Sequence, residues 1–401
     1  MKRVPGGWFI HPFEVAVSGY SGAGKTTFLE KLIDTYRRRQ WSVGYVKRDA
    51  HFFSLDVPGK DTYRAREAGA VTTCIEDRTQ SAVITGHGPK GPSLAAVQQA
   101  VATRDIVFVE GRKYSPLPKI VMLDPRGEID EELKSGKVNN LIALVYPSGE
   151  EKRAQGCLNA GTDVPMVCRD DVEKIVEVVD RVLAARIPAV SALVLLGGHS
   201  TRMGQDKSAL DYGDGTSAAR RMVNLVSSLC DDVYLSIRPG QEIPDDVREM
   251  SFLEDRFIDF GPAGGILTAL YQYPDRAWLV VSCDLPLLEE ADLRLLTEAR
   301  DPYKIATALA VPNERDGEEP LLPEPLCAIW EPRARSRILS FFQEGSTCPR
   351  WLLRNGGVSM VQPINTLATF NANTPEERET ARRLLAERRS AGQATVKGAG
   401  R

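Results

Sequence analysis

The sequence predicts an α/β protein of two domains, each built on a largely parallel sheet. Three observations carry this. Apolar runs rich in Val, Ile and Leu alternate with helical stretches along most of the chain, which is how strands joined by crossover helices read. The alternation restarts after Ile187-Pro188. Each half also opens on an apolar run that ends in glycine, Phe13–Ser18 before Gly19 and Ala189–Leu196 before Gly197-Gly198. A chain of 401 residues exceeds the usual span of one domain. The expected domains are residues 1–187 and 188–389. A flexible tail is expected over 390–401, rich in Ala, Gly and Lys.

In the first half strands are expected near 13–18, 42–47, 105–110 and 141–146, and helices near 25–39, 92–102 and 170–186. The charged segment Asp56–Ala70 reads as a loop followed by a short helix. The second half gives strand 190–196, helix 216–229, strand 232–237, helix 263–272, strand 277–283 and helix 290–299. Thr374 is a natural N-cap with Pro375 at the first position of a last helix.

A hydrophobic content of 42% suffices for two cores, and a net charge of −3 offers no global field for nucleic acid or an anionic membrane. The run Arg37-Arg38-Arg39 falls where a helix should end, and cations there suit its dipole. Seven cysteines and four histidines show no metal-ligand spacing and no disulfide framework, which argues for a reducing compartment. Met1–Phe13 carries no apolar leader core and no long apolar span occurs. The expected location is cytoplasmic, with no nucleic-acid or membrane partner.

Gly19-Tyr20-Ser21-Gly22-Ala23-Gly24-Lys25-Thr26 is a complete G-x-x-x-x-G-K-[ST] P-loop between a strand and a helix. Its glycines let consecutive N–H groups face one set of phosphates, while the lysine and hydroxyl serve the outer phosphates and Mg²⁺. Gly19, Gly22, Gly24, Lys25, Thr26 and Thr27 form the expected nucleotide-binding set, with Thr26 also a metal ligand. Glu110 ends the apolar run from Asp105, where a carboxylate can hold Mg²⁺ or orient water.

The second glycine loop, Gly197 to Lys207, lacks P-loop spacing but carries Arg202 and Lys207, two cations able to clamp a triphosphate. Trp278–Pro286 is an apolar strand ending in Asp284 before Leu285-Pro286. Carboxyl ends of parallel strands face the ligand crevice, so Asp284 is a candidate Mg²⁺ ligand. Gly261–Ile266 opens a helix with little side-chain bulk, suiting either a ligand or close packing. Asn371 and Asn373 flank a polar turn and could reach a ligand.

These residues carry two resemblances. Gly197-Gly198-x-Ser200-x-Arg202-Met203-Gly204-x-Asp206-Lys207, the C-D-x-P at Cys283–Pro286, the G-P-x-G-G-I turn and the N-x-N-T-P turn resemble the molybdenum cofactor guanylyltransferase family. The P-loop, D-x-P-G-K-D-[ST]-Y-R at 56–64, E-A-G-A at 67–70, V-E-G at 109–111 and P-K-I at 118–120 resemble the P-loop adaptor of molybdopterin-guanine dinucleotide biosynthesis. The chain looks like a fusion of the two. The resemblance implies a P-loop NTPase-type sheet followed by a Rossmann-like nucleotidyltransferase sheet. It implies GMP transfer from GTP to molybdopterin, the pterin of the molybdenum cofactor, beside a GTP-binding, weakly hydrolysing half. Arg202, Lys207 and Asp284 would be catalytic, with Mg²⁺ on Asp284. Leu196, Gly197, Gly198, Asp255, Asn371 and Asn373 would hold the nucleotide, Asp255 reading guanine. Leu196 stands where the family usually has alanine, and Ile237-Arg238 where it has asparagine-arginine. The histidine-rich stretch of the adaptor is reduced to Lys47-Arg48-Asp49-Ala50-His51. Implied partners are acceptor molybdoenzymes and cofactor-insertion proteins. A cytidylyltransferase on the same pterin and a non-catalytic, GTP-dependent delivery protein remain open from sequence.

Overall fold

The structure is a computed structural model describing residues 10–47, 57–85, 94–159, 161–197, 207–313 and 321–398; the side chains of 94–95 and 391–398 are outside the description. Gly198, Arg202, Asp206 and the rest of the second glycine loop up to Lys207 lie outside it, as do Asp56 and Arg48–His51. The chain divides into two compact units, Met1–Arg186 and Ile187–Arg401.

The first unit runs β1 (Glu14–Ser18), α1 (Lys25–Arg38), β2 (Val43–Lys47), α2 (Asp61–Glu67), β3 (Thr72–Glu76), β4 (Ser81–Thr85) and α3 (Leu94–Val101). It continues with β5 (Ile106–Glu110), β6 (Lys119–Met122), α4 (Asp130–Lys134), β7 (Leu141–Tyr146), α5 (Glu151–Cys157), β8 (Met166–Cys168) and α6 (Val172–Ala184). Its main sheet has the order β2-β5-β1-β6-β7-β8, and every pairing in it is parallel. Strands β1 and β5 are buried along their whole length, which explains why they read as unbroken apolar runs rather than alternating ones. Helix α1 buries Phe28, Leu29, Leu32 and Tyr36, one face at helical spacing, each such side chain contributing about 1.5–3 kcal/mol. The Tyr36 hydroxyl meets Asp180 on α6 at 2.7 Å, so its burial leaves no polar group unmatched. Strands β3 and β4 form a separate antiparallel hairpin.

The second unit runs β9 (Val190–Leu195), α7 (Ala218–Ser227), β10 (Val233–Ile237), β11 (Ser251–Glu254), α8 (Pro262–Gln272), β12 (Ala277–Ser282) and α9 (Glu290–Glu298). There follow β13 (Ala306–Pro312), β14 (Leu321–Trp330), α10 (Ala334–Gln343), α11 (Pro349–Gly356), β15 (Val358–Val361) and α12 (Pro375–Gly398). The sheet order is β11-β10-β9-β12-β14-β13-β15. Strand β14 is antiparallel to both its neighbours, whereas the pairings of β9 with β10 and β12 are parallel. Separate apolar clusters include Val194, Leu235 and Leu279 in one, and Leu193, Trp278 and Trp330 in the other. Alternate residues of β9 and β12 thus feed opposite faces of the sheet.

Strand and helix expectations through residue 299 agree with the structure to within a few residues. Helix α12 continues to Gly398, past Ser390 where the sequence suggests a flexible tail. Ala391, Gln393, Ala394 and Lys397 are helix formers, and Gly392 alone does not end it. Among the described residues no helix is long and apolar enough to cross a membrane.

Candidate nucleotide sites

The P-loop joins the carboxyl end of β1 to α1. Gly19 has φ +145° and an added Cβ would lie 2.6 Å from the Met122 carbonyl oxygen, so the turn needs glycine there. Gly24, at φ +83°, is the N-cap of α1 and makes no side-chain cap, leaving the first helical N–H groups to face an anion. Lys25 Nζ donates to the Tyr20 carbonyl at 2.8 Å. Burial lowers the Lys25 pKa, with Glu110 opposing that shift.

Thr26 Oγ1 donates to Glu110 Oε2 at 3.4 Å, and the Tyr45 hydroxyl donates to that same oxygen at 2.6 Å. Lys47 Nζ lies 3.6 Å from Glu110 Oε1. Burial, reinforced by Glu110, pushes the Tyr45 pKa well up, so this hydroxyl stays a donor. Pairing of β2 with β5 brings Tyr45, Lys47 and Glu110 together, and α1, entered from β1 beside β5, adds Thr26. Thr27 is exposed on α1.

In the second unit, β9 ends at Leu195 and the backbone turns at Gly197, φ +97°. Leu196, Gly197, Asp255 and Asp284 line one cleft of about 360 Å³, together with Ser236, Arg238 and Gly265. Asp255 Oδ1 accepts from Ser236 Oγ at 2.8 Å. Burial raises the Asp255 pKa to about 6, with the Ser236 hydroxyl and Arg238 pulling the other way. Gly265 of α8 makes room for this pair, because a Cβ there would sit 2.3 Å from Ser236 Oγ and 3.2 Å from Asp255 Oδ1.

Lys207 lies at the start of a short 3-10 turn. Its Nζ is 3.1 Å from Asp284 Oδ1 and 2.7 Å from Asn373 Oδ1. The backbone ties the same region together, Ala372 N donating to the Asp284 carbonyl at 3.0 Å. Thr374 and Glu377 then close a capping box at the start of α12, Glu377 N donating to Thr374 Oγ1 and the carboxylate accepting from Thr374 N. Asn371 and Asn373 line a second cavity, a groove of about 1120 Å³. Lys207 therefore joins an Asp284 that lines the cleft to an Asn373 that lines the groove.

Two oxygens here, Asp284 Oδ1 and Asn371 Oδ1, are buried without a hydrogen bond; Asp284 meets Lys207 as an ion pair only. A carboxylate and an amide oxygen are hard donors that suit a divalent cation. Among the described residues no three His, Cys, Asp or Glu side chains gather. A cation held by Asp284 would fill its shell with phosphate oxygens and water, as Mg²⁺ does.

Comparison with known proteins divides the chain the same way. Residues 15–147 match the family model of molybdopterin guanine dinucleotide synthesis protein B, and residues 192–358 match the MobA-like NTP transferase domain. A molybdopterin-guanine dinucleotide biosynthesis adapter protein of Haemophilus influenzae is 39% identical, covering 33% of this chain and 75% of that one. A molybdenum cofactor guanylyltransferase of Pseudomonas fluorescens is 31% identical, covering 47% of this chain and 92% of that one. The chain belongs to both families. A molybdenum cofactor biosynthesis bifunctional protein of Synechocystis is 33% identical over 186 residues. That match spans about half the length of each chain, 46% of this one and 51% of the relative.

Other adaptor-family motifs do not all converge on the P-loop. Lys119 of the P-K-I motif is fully buried, its ammonium donating to the carbonyls of Ser115, Leu117 and Asn139 at 2.7, 3.0 and 2.5 Å. Burial lowers its pKa to about 8. It pins the loops that flank β6 and β7. Helix α2, from the 56–64 motif, packs on β3 and buries no residue.

Sequence reasoning missed Tyr45 and Ser236, because a strand residue carries no motif signal alone, whereas Gly265 stood within the Gly261–Ile266 turn read as suiting a ligand or close packing. In the guanylyltransferase-family half, Arg238, noted only as a departure, lines the cleft, its Nε buried without a hydrogen bond. It faces Asp255 electrostatically.

Proposed function

We propose that the second unit transfers GMP from GTP to the terminal phosphate of molybdopterin, the pterin of the molybdenum cofactor, forming molybdopterin guanine dinucleotide and releasing pyrophosphate. The cleft carries this reading, because Gly197, Asp255 and Asp284 line it together and Lys207 pairs with Asp284. Asp255, when ionised, accepts from guanine N1–H and the exocyclic amine, a donor pair that cytosine lacks. A phosphomonoester with a second pKa near 6 is already largely ionised at neutral pH, so the acceptor needs no general base. The barrier is repulsion between two anions. Lys207, with Arg202 assigned beside it from sequence, lowers that barrier by charge neutralisation and positioning. Mg²⁺ on Asp284 would supply further neutralisation of the triphosphate.

The first unit is assigned as a GTP-binding adaptor with weak hydrolysis, its Mg²⁺ site built from Thr26 and Glu110. The soluble pattern of both halves fits a cytoplasmic protein that meets acceptor molybdoenzymes or cofactor-insertion proteins.

Mass spectrometry of the product from molybdopterin, Mg²⁺ and equimolar GTP and CTP tests the reading. A guanine dinucleotide is the expected product. A cytosine dinucleotide would overturn the role of Asp255, and no dinucleotide from folded, GTP-binding protein would overturn transfer itself.

A further inference from the structure

The groove beside the cleft contains a residue that no motif marks. Glu324 lies on β14, yet it is only 3% exposed and lines the groove with Asn371, Asn373, Trp351 and Arg350. An ionised carboxylate is costly to bury without partners. The chain places this one deliberately: the register of β14 against β13 shifts between Ala308, opposite Ala328, and Leu309, opposite Glu324. The irregularity falls at Pro325-Leu326-Cys327, immediately after Glu324, and bulges re-aim side chains at sites.

Glu324 Oε1 accepts from Leu326 N at 3.1 Å, and Oε2 accepts from Arg350 Nη2 at 2.5 Å. Two lone-pair positions remain on the carboxylate for further N–H donors. Trp351, 44% exposed, adds an aromatic surface of the kind a flat ring packs on.

Resting on the transfer reading above, the acceptor is a pterin whose pyrimidine edge presents a ring N3–H beside a 2-amino group. This is the same donor pair that guanine offers to Asp255. We propose that Glu324 reads the pterin ring of the acceptor, its carboxylate accepting from N3–H and the 2-amino group within the groove. The two substrates would then be recognised by matching chemistry in adjoining cavities, with Lys207 between them. Strand β14 contributes to both, Leu326 to the cleft and Glu324 to the groove.

The test compares pterin with lumazine, which carries oxygen in place of the 2-amino group, by fluorescence titration of the full chain. Wild type should prefer pterin by at least ~10-fold, the discrimination of a site built to bond an N–H. Glu324→Gln should lose that preference while leaving the KM for GTP unchanged. Arg350→Lys should keep it, whereas a Glu324 that served only to hold Arg350 would make both variants weaken the two ligands alike. Absence of a preference in wild type overturns the inference without any variant, as does a preference that survives Glu324→Gln. Dinucleotide formation measured on the same wild-type sample separates the cases. Product formation with no ring preference sinks only the role of Glu324, and no product sinks the transfer reading beneath it.

Discussion

At the P-loop the polar groups are spent on one another. Lys25 rests on the Tyr20 carbonyl, and Glu110 meets Thr26, Tyr45 and Lys47. The second unit is arranged differently: Asp284 Oδ1 in the cleft meets Lys207 as an ion pair only, Asn371 Oδ1 at the groove is buried without a hydrogen bond, and Asp255 in the cleft holds a raised pKa. The first arrangement must exchange internal partners when a triphosphate arrives. The second keeps Asn371 Oδ1 unmatched and a shaped pocket around Asp255 and Asp284, groups already placed to meet a ligand.

The sharpest way to break this contrast is to remove the cation or the carboxylate of the second site. Lys207→Ala and Asp284→Ala should each lower dinucleotide turnover at least ~10²-fold, the scale for losing one stabilising group. Turnover like wild type in either variant would remove that residue from the mechanism.

Asp255→Asn should raise the KM for GTP about 30-fold, from loss of hydrogen bonds to a charged group. The pH dependence follows from its raised pKa near 6. Above that value the carboxylate is ionised and accepts both guanine donors; below it the group is protonated and GTP affinity falls, by up to about tenfold per pH unit. A flat wild-type profile between pH 5 and 7, read by GTP titration, would contradict the assignment.

A smaller change is expected from Gly265→Ala. The new Cβ forces Ser236 Oγ to rotate away, and Asp255 loses a hydrogen bond that holds its pKa down. The midpoint of the GTP-affinity profile should move to higher pH, and an unmoved midpoint would mean that Ser236 does not tune Asp255.

The smallest effect on transfer should come from Lys25→Ala, which is expected to impair GTP hydrolysis in the first unit while leaving dinucleotide synthesis near wild type. If synthesis collapses, the contrast between the two sites fails and the P-loop belongs to the transfer cycle.

The strands that carry the two glycine loops were legible because they are buried on both faces and read as continuous apolar runs. Glu110 and Asp284 were legible for the same reason, as carboxylates that close such runs. Strand β6 was seen only as a motif, since four residues hemmed by Pro116, Pro118 and Asp124 offer no period. Strand β14 was hidden more deeply. Pro323 and Pro325 argue against a strand between two others; Pro323 lies where β14 pairs with β13 alone, because β12 pairs only Cys327–Trp330, and Pro325 falls in the shifted stretch between the two registers. The clustering of Ser236 and Asp255 was equally invisible, because it depends on the parallel pairing of β10 with β11.

Because β14 is a partition between two chambers, its residues do not vary independently. A substitution that widens the cleft at Leu326 also disturbs the backbone N–H that steadies Glu324 two residues away. Attempts to retrain the cleft toward another base through β14 should therefore also alter which acceptor is taken, whereas changes to the Glu324 carboxylate, which lines only the groove, should leave the choice of nucleotide alone.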